Sequence, residues 1–319
     1  MKKTLIVILT ALTMTLAGCA PGGAGNNSDN PDAPNKPGGG KLATALARIS
    51  SDAEEGGAYT ITIDADESLS PQTLFYNGKN VSVTLQGDET ERTVDLSSSG
   101  SLFTIGSGVT LKLGNNITLR GQSDNTVSLV QVDGGGTLVM EDGSKISGNS
   151  SSGEDDGGGV YVSGGSFTMS DGEISGNSAS RGGGGVSICY RVYTGNTSYR
   201  GGKFTMTGGT ISGNTVSNWG YGGGVWVGRD NPDDAYRSGS ASEAIFIMSG
   251  GTISGNSVRS SDGVHNSFGG GVYVDMFGDF TMNGGEISGN SASFGNGVYV
   301  DGRFTRSGGT ISDKVSSEW

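Results

Sequence analysis

Apolar and polar residues alternate with a period of two along most of this chain, and from about residue 134 the alternation settles into one recurring phrase. A Gly-rich turn leads into Val-Tyr-Val, as in Gly159-Val160-Tyr161-Val162, with relatives at Val186, Val225, Val272 and Val298. A Phe-Thr-Met segment follows, at Phe167, Phe204, Phe246 (Phe-Ile-Met) and Phe280. The phrase closes on Ile-Ser-Gly-Asn at Ile146, Ile174, Ile211, Ile253 and Ile287, with an altered last copy, Ile311-Ser312-Asp313-Lys314. Phe to Ile is always seven residues, whereas the gaps between phrases vary. Fixed internal spacing with variable gaps is the mark of a solenoid, in which each repeat needs its neighbour to bury an apolar face.

Period-two alternation predicts half-buried strands, with the Val pair, the Phe and Met, and the Ile turned inward. Gly-Gly, Asp-Gly and Gly-Asn between them supply tight corners. The shortest repeat, Ile287 to Ile311, is 24 residues, enough for three strands and too short for a strand, a crossover helix and a second strand. Coils stacked about 4.8 Å apart then pair in parallel. The expected fold is all-β, a right-handed three-sheet parallel β-helix. Alternating segments at Thr60–Ile63, Val81–Leu85, Leu102–Ile105 and Val109–Leu113 add two or three irregular coils, for about eight in all. Asn149, Asn177, Asn214, Asn256 and Asn290 fall at one repeat position, where Asn tolerates a left-handed turn and can bond its copies above and below.

A solenoid must close its ends. Leu42 to Ile49 is the one segment beyond the leader with helical character, so residues 41–57 are expected to form an N-terminal cap and 58–319 the β-helix. At the other end Arg306 stands at a core Met position and Asp313-Lys314 replaces Gly-Asn, as suits a coil that meets water; Trp319 is placed over the last apolar layer.

The first residues change the picture. Lys2-Lys3, an apolar run from Leu5 to Leu16 and Leu16-Ala17-Gly18-Cys19 form a secretory leader over residues 1–18, too short to span a bilayer. Leu-Ala-Gly-Cys resembles the bacterial lipoprotein lipobox, which implies that Cys19 becomes the lipidated first residue. Residues 19–40 hold four of the six Pro and form a flexible tether, spanning roughly 25 Å. Loss of the leader takes away two Lys and moves the formal charge from −12 to −14, which disfavours nucleic acid. Cys189 is then the remaining thiol; it is expected half-buried in a loop beside Tyr190 and cannot form an internal disulfide.

The repeats, over roughly residues 134–312, resemble those of the chlamydial polymorphic outer membrane proteins and, more broadly, the pectate-lyase-like β-helix superfamily. Here Gly-Gly-Gly-Val stands for the family's Gly-Gly-Ala-Ile, and Ile-Ser-Gly-Asn for its Phe-x-x-Asn. The resemblance implies surface exposure and adhesion. A lipid anchor would take the place of that family's C-terminal membrane barrel, for which the chain leaves no room.

Candidate chemistry lies on the outward positions. The residue after the strand Val reads Tyr161, Ser187, Trp226, Tyr273 and Tyr299 in successive coils, expected to stack outward. A second file, four residues before the same Val, reads Asp156, Gly182, Tyr221, Phe268 and Phe294. Exposed aromatic stripes stack on sugars or anchor protein partners; the alternative is that they only strengthen the ladder. Insertions at 187–203 and 226–245 carry Tyr190, Tyr193, Tyr199, Arg191, Arg200, Arg229, Tyr236 and Arg237, residue types favoured at contacts. Asp275 and Asp301 share a repeat position, near the carboxylate separation of a retaining glycosidase, with Tyr273 and Tyr299 flanking them. His265, the single His, lies in a loop without a nucleophilic partner. Glu154-Asp155-Asp156 and Asp230, Asp233 and Asp234 offer oxygen ligands for Ca²⁺ but lack an EF-hand loop, so no metal or cofactor is expected. The functional expectation is a monomeric bacterial surface lipoprotein on the outer membrane or cell surface, an adhesin or interaction rod for host protein or glycan. The alternative is a polysaccharide lyase or hydrolase of the β-helix class.

Overall fold

The computed structural model describes residues 5–7, 40–153, 157–191, 200–217, 220–229, 244–259 and 266–317, apart from the side chains of residues 5–7, 190, 191 and 200. The chain winds as a right-handed parallel β-helix. One long sheet carries the Phe-Thr-Met strands, running from Gly57–Ile63 through Ser166–Met169, Lys203–Met206, Ala244–Met248 and Gly278–Met282 to Arg303–Arg306. A second carries the Val strands, from Gln72–Leu74 to Val315–Ser317, and a third the Ile strands, from Glu67–Leu69 to Thr310–Ile311. A fourth, short sheet of four strands (Ser150–Ser151, Ser178–Ala179, Thr215–Ser217 and Ser257–Arg259) follows the Asn turns. The first sheet makes nine turns of the helix from Gly57 on, one more than the sequence pattern suggests, with three irregular coils leading in.

The repeat phrase sets the register. Phe167, Phe204, Phe246, Phe280 and Phe304 pair directly from coil to coil. Their rings stack inside the coil at centroid distances of 4.4, 4.8, 4.7 and 5.0 Å. Met169, Met206, Met248 and Met282, the Ile column and the inward Val pairs share the buried interior with them.

The left-handed corner of Ile-Ser-Gly-Asn is taken by the Gly, with φ between 62° and 68° at Gly148, Gly176, Gly213, Gly255 and Gly289, and not by the Asn. That frees each Asn side chain for the ladder. Asn214 Nδ2 donates back to Ile174 O at 2.9 Å and forward to Asn256 Oδ1 at 3.0 Å, and the Asn214 N–H also donates to Asn256 Oδ1. Asn177, Asn256 and Asn290 repeat this pattern. Asn125, outside the repeat phrase, starts the ladder by donating to Asn149 Oδ1. At the far end the Asp313 carboxylate accepts from the N–H groups of Gly289 and Asn290 and from Asn290 Nδ2. The Asn-to-Asn bonds all run from donor to acceptor toward the C-terminus, so an acceptor-only carboxylate closes the row.

The cap helix α1 spans Lys41–Asp52, shorter than the 41–57 expected, and buries Leu42, Leu46 and Ile49 on the first coil. Its Gly40 N-cap has no side chain to offer; Glu67 supplies the acceptor instead, taking the Leu42 N–H at 3.0 Å. Leu5–Val7 adds a parallel strand beside Tyr59–Ile61. At the other end Arg306 is exposed and donates to the carbonyls of Gly308 and Gly309. No helix among the described residues is long and apolar enough to cross a membrane.

Candidate functional site

Both aromatic files exist, in the register the sequence implies. Tyr161, Ser187, Trp226, Tyr273 and Tyr299 are directly paired along the Val sheet. Gly182, Tyr221, Phe268 and Phe294 are joined by successive parallel bridges. The expected exposure is corrected. The Val+1 residues do turn away from the interior, yet Tyr161, Trp226, Tyr273 and Tyr299 are only 3, 3, 7 and 5% exposed. For Trp226, Tyr273 and Tyr299 the physical reason is that the second file folds over the first: with Tyr221 and Phe268 they form a hydrophobic cluster separate from the main core. Tyr221 lies 4.6 Å from Tyr273 and 5.9 Å from Phe268, and Phe268 meets Tyr299 edge-on at 4.8 Å. Phe294, 40% exposed, is the outermost ring.

Two glycines shape this cluster. At Gly182 a Cβ would strike the Trp226 ring, so the indole occupies space that the repeat leaves empty there. Ser187, one coil before Trp226, ends the file on that side and leaves Tyr161 apart. At Gly228 a Cβ would strike Asp275, the residue at the same position one coil later.

The result is a cavity of about 250 Å³ at the corner of the Val sheet from which the second insertion departs. Tyr221, Trp226 and Tyr273 form its aromatic side, Arg181, Arg229, Asp275 and Asp301 its charged side, and Met276 and Phe277 its rim. The Arg229 guanidinium sits 4.7 Å over the Phe277 ring. Asp275 and Asp301 directly follow the paired Val274 and Val300, so they occupy adjacent rungs as expected. Tyr273 Oη donates to Asp301 Oδ2 at 2.9 Å. Burial, with both carboxylates nearby, pushes the Tyr273 phenol well above its ordinary pKa, so it remains a donor. Burial also raises Asp275, against the opposing pull of N–H donors from Arg229 and Met276 and of the Arg229 charge. Trp226 Nε1 is buried and has no hydrogen-bond partner among the described residues.

Cys189 is corrected as well. It lies in the strand Val186–Arg191, fully buried, with its Sγ 3.2 Å from Ser187 Oγ. Among the described residues no group of three or more His, Cys, Asp or Glu is placed to hold a metal. Cys19, Tyr193, Tyr199, Tyr236, His265, Trp319 and the two acidic runs considered for Ca²⁺ lie outside the described residues.

Arg181 is the lining residue that repeat reasoning passes over. It falls one position before the second file, and the signal that could have found it is the gap at Gly182, which opens the coil beside it. Set against known proteins, the chain matches no family model, no curated protein and no solved structure. The parallel β-helix therefore stands on the geometry of the chain itself.

Proposed function

We propose that this chain is a lipid-anchored rod of the bacterial envelope that binds glycan at the aromatic cavity between Arg181 and Asp301. The observation that carries this reading is the unpartnered indole N–H of Trp226, buried in the wall of a cavity that also presents two phenols, two guanidiniums and two carboxylates. The apolar C–H face of a sugar ring stacks on aromatic rings, while its hydroxyls pair with such polar groups. The resemblance of the repeats to the chlamydial polymorphic outer membrane proteins, and of Leu16–Cys19 to a lipobox, supports a surface-exposed, anchored binding protein. A glycan array probed with the chain and with a Trp226→Ala/Tyr273→Ala variant tests it. The expected result is a specific signal lost in the variant while its circular dichroism stays that of a folded β-protein. A blank array, or a signal untouched by the variant, contradicts the reading.

A second reading is favoured by one observation, the raised pKa of Asp275 beside Asp301. An upward-shifted carboxyl on the rung beside a second carboxyl group is the kind of setting in which a glycoside hydrolase places its acid. Release of reducing ends from the array-selected glycan, abolished by Asp275→Asn, would establish it; an unchanged polymer after prolonged incubation would dismiss it.

A further inference from the structure

The polar groups of the cavity are not balanced. Both carboxylates already have donors: Asp301 Oδ2 takes the Tyr273 hydroxyl, and Asp275 receives the backbone N–H groups of Arg229 and Met276. Two of its donors have no acceptor. Trp226 Nε1 is buried without one, and the Arg181 guanidinium makes no ion pair or side-chain hydrogen bond among the described residues. A buried donor left without an acceptor is costly, and a guanidinium can only donate. A complementary ligand therefore brings oxygen acceptors, at least one of them anionic to match Arg181.

Shape limits the ligand further. The aromatic side calls for a flat apolar face. The volume, about 250 Å³, lies below the roughly 300–1,000 Å³ of sites for drug-sized ligands, so it suits one ring and not a run of several. The whole-chain charge of −12 repels a densely charged polyanion, which leaves a single anionic ring as the fit. We propose that the cavity receives one terminal sugar ring carrying a carboxylate or sulfate, its face against Tyr221, Trp226 and Tyr273 and its anionic group at Arg181. The inference rests on the glycan-binding reading and names the kind of sugar unit that reading leaves open.

The test is a ligand-detected NMR titration of the full chain in detergent with methyl glycosides of gluco, galacto and manno configuration. Each is offered neutral, as the uronic acid and as the 6-sulfate. The expected result is that an anionic form binds at least about 10-fold more tightly than its neutral counterpart, as a charge-assisted contact requires. Arg181→Gln should remove that preference and leave neutral binding in place, and Trp226→Phe should weaken all forms while the ring stacking remains. Whether the uronate or the sulfate leads identifies the source of the charge. Neutral and anionic forms binding equally would overturn the inference while the glycan reading stands. No binding by any form, from a chain with its native circular dichroism, would overturn both.

Discussion

Asp275 shows how much one side chain's surroundings set its chemistry. It holds the same repeat position as Gly228 before it and Asp301 after it, yet its partial burial raises its pKa. Facing it are Arg229, Asp301, Tyr221 and Tyr273, with Arg181 across the cavity. As pH falls through this raised range, Asp275 takes up a proton and the cavity loses one negative charge. Binding of a sulfated ring, which stays ionised throughout, should therefore strengthen as pH is lowered from 7 toward the ordinary carboxylate pKa of about 4. Asp275→Asn should bind tightly at neutral pH and lose most of that dependence in a titration series. Weaker binding at lower pH in the native chain would contradict the assignment. The same side chain has a sign in stability too. Because its folded pKa lies above the unfolded value, its ionisation opposes folding, so stability is greatest below the unfolded pKa and declines as pH rises through the folded one.

Among the elements, the Asn turns and the strands they join depend on one another across coils. Asn214 accepts from Asn177 and donates to Asn256 and to the carbonyl of Ile174, all in buried surroundings. Asn214→Ala strands several of those groups at once, each costing about 1–3 kcal/mol, so urea unfolding should show a loss at or above that range. Asp313→Ala removes only the terminal acceptor and should cost less, because the last coil admits water. Equal losses for the two would mean the ladder is not continuous. The elements also show what a sequence can and cannot convey. Period-two alternation and the fixed Phe-to-Ile spacing give the strands and the register, since backbone pairing repeats whatever the repeat contains. The closure of the ladder was less legible: Lys314 holds the Asn position, but the neighbouring Asp313 does its work, a shift that only the course of the backbone shows. The Glu67 cap of α1 was hidden for the same reason, its partner lying 25 residues away.

For the whole molecule, the rod is a stack in which function depends on irregularity. Regular coils bury Phe, Met and Ile inside and leave outer faces covered by their own neighbours. The cavity appears where that regularity breaks, at Ser187, Gly182 and Gly228, next to the point where the 230–243 insertion leaves the second sheet. Both aromatic files and the Asp275/Asp301 pair were readable as columns. Their burial was not, because column counting gives the direction of each side chain but not the way one file folds over another. The most direct check of the central claim is a crystal structure of the chain with the glycan selected by the array. A sugar ring is expected to lie against Tyr221, Trp226 and Tyr273, with an oxygen at hydrogen-bonding distance from Trp226 Nε1. A glycan seated elsewhere on the rod, with the cavity holding only water, would contradict it.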